Sequence, residues 1–173
     1  MMQEIDALLA AMSDPIAEDA IVITIDEATR AITIPDELII LAAEGDKNIN
    51  RVQFKMSRYF QGIDLSRFIV QVNYESALGN RYRYVVDDMV PYGDLLTFSW
   101  LVSEHAAEGK GTVRFRICMK LVVEEKVLKI FNSTIGQAQC VDSIPEEDGN
   151  EDNPVNGNPT ILDKTTIGDT TLA

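Results

Sequence analysis

Cysteine and histidine are scarce in this sequence, and their scarcity excludes several kinds of site. The only cysteines are Cys118 and Cys140, which are too few for a disulfide framework and lack metal-site spacing. The single histidine, His105, lies in an expected loop, and without a second histidine the usual zinc sites are hard to assemble. We therefore expect no metal, no cofactor and no histidine-based catalysis.

Long apolar runs and catalytic motifs are also missing. No run reaches the roughly 18 apolar residues that a membrane helix needs, and the N-terminal residues lack the basic flank and cleavage site of a signal peptide. We expect a soluble protein that is made in the cytoplasm and makes no membrane contact. No segment matches a phosphate-binding glycine loop, a nucleophile elbow or a calcium loop. We predict no catalytic residues and no small-molecule substrate.

Basic residues are in the minority, and the acidic residues are concentrated at the two ends. The formal net charge is −13. Residues 1–21 carry five acids and no base, residues 142–173 carry eight acids and one base, and the middle is almost neutral. A nucleic-acid-binding protein needs a basic stripe that neutralises phosphates, so we expect no nucleic acid partner. The acidic ends are either solvated segments or contacts for a basic protein surface.

The residue pattern divides the chain into three parts. Residues 1–20 form an N-terminal helical arm, which we expect to lie on its own domain or on a neighbouring subunit. Residues 21–141 form a β-domain, and residues 142–173 form an acidic linker rich in Asn, Gly and Pro with a C-terminal arm. The C-terminal arm either docks by strand addition or is a frayed terminus. The apolar arm residues are Ile5, Leu8, Leu9 and Met12, then Ile161, Leu162, Ile167 and Leu172.

Alternating apolar residues in the middle part predict many short strands. Val52, Phe54 and Met56 face one way, whereas Arg51 and its alternate neighbours face the other. Strands at about ten-residue spacing, with turns between them and no long helix, describe an antiparallel β-sandwich. The expected strands occupy residues 21–25, 31–34, 38–41, 51–59, 67–74, 81–86, 95–103, 112–123 and 127–135.

The segment Arg81-Tyr82-Arg83-Tyr84 permits two interpretations. Alternating tyrosine and arginine can stack sugars or nucleobases. On a half-buried strand the same pattern turns both tyrosines inward and both arginines outward, which is the interpretation we favour. Trp100 shares an apolar stripe with Leu96 and Phe98, so we expect a core position for it as well.

Short segments between residues 21 and 141 resemble a family of phage structural domains. They are similar to the N-terminal domain of the upper baseplate proteins of phages that infect Gram-positive bacteria. The resemblance implies a β-sandwich attachment domain without catalytic residues, although the family's long C-terminal portion is missing and the acidic segment stands in its place. The segments are Ile32-Thr33-Ile34-Pro35, Gly45-Asp46, Val52-Gln53-Phe54-Lys55-Met56, Gly62-Ile63-Asp64-Leu65-Ser66, Val72-Asn73-Tyr74, Ala77-Leu78-Gly79, Tyr84-Val85-Val86-Asp87-Asp88, Thr97-Phe98-Ser99-Trp100-Leu101-Val102 and Gly111-Thr112-Val113-Arg114-Phe115.

The first functional hypothesis is a virion structural protein that is assembled in the host cytoplasm. In this hypothesis the chain is a non-catalytic attachment or adaptor module of the baseplate or tail. It docks other virion proteins through its sandwich and terminal arms, and the resemblance implies a homo-oligomer. A capsid decoration protein or the base of a head fibre is an alternative location.

Two further hypotheses come from other classes. A carbohydrate-binding module for host surface glycans requires exposed aromatic rings, and a small hydrolase requires two carboxylates that converge in a cleft about 5 to 9 Å apart. The candidate glycan-facing residues are Tyr82, Tyr84, Tyr92 and Trp100, and the candidate carboxylates are Asp87, Asp88 and Glu104.

Overall fold

The computed structural model describes residues 20–144. The predicted N-terminal helix, with Ile5, Leu8, Leu9 and Met12, and the predicted C-terminal arm, with Ile161, Leu162, Ile167 and Leu172, lie outside the described residues. Between residues 20 and 144 there is no helix long and apolar enough to cross a membrane. The described strands are β1 (Ile23–Ile25), β2 (Ile32–Thr33), β3 (Ile40–Ala43), β4 (Arg51–Ser57), β5 (Tyr59–Phe60), β6 (Ile63–Asp64), β7 (Ile69–Glu75), β8 (Arg81–Val85), β9 (Val90–Tyr92), β10 (Leu95–Leu101), β11 (Gly111–Val123), β12 (Lys126–Asn132) and β13 (Gly136–Val141).

Two main sheets form a β-sandwich, which confirms the predicted fold class. The first sheet has the strand order β2-β1-β4-β10-β9, and the second has the order β3-β13-β11-β7-β8. The long strand β11 pairs with β13 along its first half and with β12 along its second half. A small separate hairpin joins β5 to β6, and short 3-10 turns occupy Asp36–Leu38 and Leu65–Arg67.

The sheets are mixed, so the prediction of purely antiparallel pairing was wrong in two places. Strand β1 pairs with β4 in parallel, and β3 pairs with β13 in parallel. Both pairs join segments that are distant in the chain, where no tight turn fixes the strand direction. The prediction also missed β9 and β13, because a strand of three residues and the segment Gly136–Val141, with glutamines at alternate positions, lack strong apolar alternation.

The core lies between the two sheets and is dominated by aromatic rings. Phe54 of β4 stacks on Phe98 of β10 with ring centroids 5.1 Å apart, and its ring also meets the edge of Phe115 from β11 at 6.2 Å. Trp100 lies 5.4 Å from Phe115 and is fully buried. Burying each such side chain contributes about 1.5 to 3 kcal/mol, and aromatic pairs add about 1 kcal/mol. The predicted core stripes are therefore confirmed, except that Leu121 of β11 is only half-buried.

Candidate functional site

Asp87 and Asp88 at the end of β8 are both exposed, and Asp88 also has a structural role. Asp88 accepts hydrogen bonds from the Ser99 amide at 2.9 Å and from the Ser99 hydroxyl. Strand β9 pairs with β10 only as far as Thr97, so the Asp88 side chain takes the place of the missing strand at Ser99. Arg51 lies 3.7 Å from the Asp88 carboxylate and donates to the Ser99 hydroxyl. Asp88 thus holds a segment that crosses between the sheets.

Glu108 forms a second polar cluster, which the sequence did not predict. Its carboxylate accepts hydrogen bonds from the Ser76 hydroxyl, the Asn80 amide at 2.9 Å and the Tyr82 hydroxyl at 2.8 Å. These three donors, the Ser76 hydroxyl first, hold the pKa of Glu108 below its usual value. The same carboxylate raises the pKa of Tyr82. Because Ser76 and Asn80 flank the turn between β7 and β8, Glu108 ties that turn to the loop after β10.

The candidate metal-ligating residues do not form a cluster within residues 20–144. Among residues 20–144, no group of three or more His, Cys, Asp or Glu side chains is placed to hold a metal ion. His105 is exposed in a loop, as predicted, and its ring stacks on Tyr82 with centroids 4.5 Å apart. Cys118 and Cys140 are free and buried, and burial raises the pKa of the Cys140 thiol.

The four candidate glycan-facing aromatics do not share one exposed surface. Trp100 has no exposed area, so its assignment to a glycan-facing surface was wrong and its expected core position is confirmed. Tyr74 links it to Tyr82, with ring centroids 5.0 Å from Trp100 and 5.4 Å from Tyr82. Tyr82 and Tyr84 are half-buried on β8 of the second sheet, whereas Tyr92 is half-buried on β9 of the first. Glycan binding by these tyrosines stays a prediction.

The hairpin that joins β11 to β12 exposes apolar side chains on both of its faces. Every residue from 122 to 130 is exposed, and we call this segment the apolar hairpin. Glu124 and Glu125 form its turn with φ values of 51° and 66°, a left-handed conformation that side chains other than Asn and Gly adopt at a cost. The exposed apolar residues are Val122, Val123, Val127, Leu128 and Ile130, with exposed fractions of 38%, 43%, 50%, 59% and 56%.

A shallow apolar groove lies beside the base of the apolar hairpin. It has a volume of about 250 Å³, and its lining includes Phe60, Ile63 and Ile130. The guanidinium of Arg30 lies over the Phe60 ring at 4.7 Å and holds one wall in place. Within the part of the chain that the structure describes, β12 pairs only with β11, so its outer backbone edge is free beside this groove. Exposed apolar side chains grouped beside an apolar groove are typical of surfaces that protein partners cover.

The other half of the same sheet carries arginines on its outward face. Glu75 of β7 lies opposite Arg81 of β8 on one side and opposite Arg114 of β11 on the other. It forms ion pairs with them at 3.2 Å and 3.1 Å. The hydrogen bond from Arg81, and then that from Arg114, holds the pKa of the Glu75 carboxyl below its usual range. We call these three residues the first arginine row.

A second arginine row lies next to the first. Asn73 of β7 lies opposite Arg83 of β8 and Arg116 of β11, and both arginines are exposed. The two rows line a concave surface of about 600 Å³. The outward direction of Arg81 and Arg83 agrees with the sequence prediction, but only the strand register brings them beside Arg114 and Arg116.

Comparison with known proteins gives a structural neighbour but no sequence relative. No family model matches the sequence, and no curated protein matches it. The fold is similar to the N-terminal domain of ORF48 from phage TP901-1, with a TM-score of 0.47 and 11% sequence identity. The match covers 70% of this chain and 97% of that chain.

Proposed function

We propose that this chain is a phage virion structural protein, a non-catalytic attachment or adaptor module of the baseplate or tail. The observation that carries the proposal is the apolar hairpin of residues 122–130. It has five exposed apolar side chains and, among residues 20–144, a strand edge that pairs with no other strand. Exposed apolar surface of this kind is typical of interaction sites. The resemblance of the sequence segments to phage baseplate domains supports other virion proteins as the partners.

The docking chemistry follows from the edge of β12. A strand from a neighbouring subunit pairs with the free backbone groups of β12, and one of its apolar side chains enters the groove beside Phe60 and Ile63. Valine, leucine and isoleucine side chains that are half exposed contribute roughly 1 kcal/mol each when the remaining area is covered. Five such residues give a gross contribution of roughly 5 kcal/mol, before the cost of association is subtracted.

The proposal includes a division of the chain into three functional parts. Residues 21–141 form the sandwich that sets the spacing between subunits, while residues 1–20 and 142–173 supply the two arms. Removal of residues 1–12 or 143–173 leaves the sandwich folded and abolishes incorporation under this proposal. A truncated chain that assembles normally would contradict the arm model while leaving the hairpin contact in place.

The hairpin contact is tested in the phage that encodes the chain. The double variant Leu128→Ser with Ile130→Ser removes apolar area from the hairpin, and Ile49→Ser is the matched control because Ile49 is 72% exposed elsewhere. We expect the double variant to fold normally and to be lost from purified particles, as measured by quantitative mass spectrometry. The control variant stays at the parent level. Incorporation of the double variant at the parent level would contradict the hairpin contact.

The same particles locate the protein. Labelling with an antibody against the chain, followed by electron microscopy, distinguishes the tail tip from the head. Label at the tail tip supports the baseplate or tail proposal, whereas label on the head supports the capsid decoration alternative. Absence of the parent chain from purified particles would overturn the virion proposal as a whole.

A further inference from the structure

The second arginine row presents hydrogen-bond donors without an acceptor. Among the described residues, neither Arg83 nor Arg116 has an ion-pair partner, whereas Arg81 and Arg114 share Glu75. Gln71 donates a hydrogen bond to Asn73 Oδ1 at 3.1 Å, which leaves Asn73 Nδ2 as a donor between the two free arginines. A surface of guanidinium and amide donors selects a ligand with anionic acceptor oxygens.

The strand register fixes the spacing of the four arginines. Strands β8 and β11 lie on opposite sides of β7, so arginines within one row are separated by about 10 Å at the backbone. Arginines two residues apart on one strand are separated by about 7 Å. The backbone positions of the four arginines therefore stand at the corners of a rectangle, with Glu75 at the middle of one long side.

We infer that the arginine rows bind an acidic polypeptide segment, residues 146–152, of a second copy of this chain. That segment, Glu-Glu-Asp-Gly-Asn-Glu-Asp, has five acids and no base. In an extended segment, acids two residues apart are separated by about 7 Å and acids three residues apart by about 10 Å, which match both sides of the rectangle. Because both belong to the same chain, each copy supplies one acidic segment and one pair of arginine rows.

This inference goes beyond the proposed function, because it concerns a different surface and only this chain. The arginine rows lie on the β7–β8 side of the second sheet, whereas the apolar hairpin lies on the β12 side. Failure of the chain to appear in virions would leave the inference standing. Failure of the acidic segment to bind would equally leave the proposed function standing.

A peptide titration measures the contact directly. The probe is a synthetic peptide of residues 142–153 with blocked ends, and the receptor is the ¹⁵N-labelled full chain in which the five acids are changed to amides. We expect shifts of the arginine Nε–H signals and of the Asn73 side-chain amide, with binding that weakens as salt rises from about 0.01 M to about 1 M. The receptor substitutions are Glu146→Gln, Glu147→Gln, Asp148→Asn, Glu151→Gln and Asp152→Asn.

Matched variants assign the binding to the second row. Adding Arg83→Gln and Arg116→Gln to the receptor should lower its affinity for the peptide by roughly fivefold, because two exposed ion pairs are lost. Arg67→Gln, which changes an exposed arginine outside the rows, should leave the affinity unchanged. Equal binding by the double variant and the parent would overturn the inference.

Two other ligands complete the titration. A peptide in which every acid is replaced by its amide should not bind, and equal binding of that peptide would overturn the inference. A single-stranded oligonucleotide of the same charge tests a phosphate ligand. Tighter binding of the oligonucleotide than of the peptide would assign the rows to nucleic acid and would also overturn the inference.

Sedimentation velocity tests whether a second copy supplies the segment. At about 0.1 M salt the Debye length is about 10 Å, so the repulsion between chains of net charge −13 is screened while contact pairs keep their attraction. We expect the unmodified chain to associate at high concentration, and the amide variant and the Arg83 and Arg116 double variant to remain monomeric. Association that is equal in the unmodified chain and the amide variant, or an unmodified chain that stays monomeric, would overturn the second-copy assignment.

Discussion

Two hairpins of the second sheet are built in opposite ways. The β7–β8 hairpin has its turn tied down by Glu108, which binds Ser76, Asn80 and Tyr82. The β11–β12 hairpin ends in Glu124 and Glu125, both with positive φ, and its residues from 122 to 130 are exposed. The first hairpin carries charged side chains outward, and the second carries apolar ones.

The difference teaches how a single sheet separates two kinds of contact. Arginine rows need fixed positions, because the strength of a charge-assisted hydrogen bond depends on geometry, and the Glu108 network fixes the strand that carries Arg81 and Arg83. An apolar surface has no such directional requirement, so a hairpin anchored only at its base is sufficient. The anchor at that base is Phe131, whose ring centroid lies 5.0 Å from that of Phe60.

The largest expected effect separates the base of the apolar hairpin from its exposed part. Phe131→Ala should lower the free energy of unfolding by about 3 to 5 kcal/mol, because it removes a buried ring and leaves a cavity. Its neighbour Ile130 faces outward and is 56% exposed, so Ile130→Ala should change stability by no more than about 0.5 kcal/mol. Urea denaturation of both variants measures the contrast. Equal losses of unfolding free energy in the two variants would mean that the Ile130 side chain is buried in solution.

A smaller effect is expected at the turn of the apolar hairpin. Glu124→Asn with Glu125→Gly supplies the residues that favour positive φ at both central positions of a two-residue turn. We expect the free energy of unfolding of the variant to rise by about 1 kcal/mol, since a non-glycine residue in this conformation is strained. Hydrogen exchange of the β12 amides measures the gain. The amide of Gly79, in the turn between β7 and β8, provides a reference site. Unchanged exchange in β12 would show that the two glutamates carry no strain.

The sequence predicted the core better than it predicted the connections between strands. Alternation placed Phe54, Phe98 and Phe115 in the core correctly, because each strand's burial pattern is a local property. The parallel pairs β1–β4 and β3–β13 depend on partners far along the chain, and no local pattern records them. The same limit explains why β13 was missed, since its alternating glutamines are stabilised only by the neighbouring strands.

The surfaces were predicted in part. The outward position of Arg81 and Arg83 follows from the alternation within one strand, but their grouping with Arg114 and Arg116 depends on the register of β7. Strands were predicted for both arms of the apolar hairpin, but the exposure of its valines and isoleucine was not predicted. A strand that projects past the edge of its sandwich has the same local sequence as a buried one.

The Glu108 network predicts a contribution to the pH dependence of the free energy of unfolding. Its folded pKa lies below the unfolded value, so the ionised carboxylate stabilises the fold above the unfolded pKa of about 4.3. That stabilisation is lost as the pH falls through the folded pKa. Glu108→Gln should therefore be less stable than the parent at pH 7, and the difference should shrink in acid. Carboxyl ¹³C titration of Glu108 checks the direction, and a pKa above 4.3 would contradict the network.

The smallest expected effect concerns Glu75, whose ion pairs with Arg81 and Arg114 are largely open to solvent. Glu75→Gln should destabilise the fold slightly above the unfolded pKa of about 4.3, and the difference from the parent should vanish in acid, because the folded pKa is lowered. The same change frees both arginines of the first row, so it should raise the affinity for the acidic peptide. It should leave the hydrogen exchange of the apolar hairpin unchanged. Peptide titration measures the first effect and β12 hydrogen exchange the second. Weaker peptide binding in Glu75→Gln would mean that Glu75 organises the rows rather than competing for them.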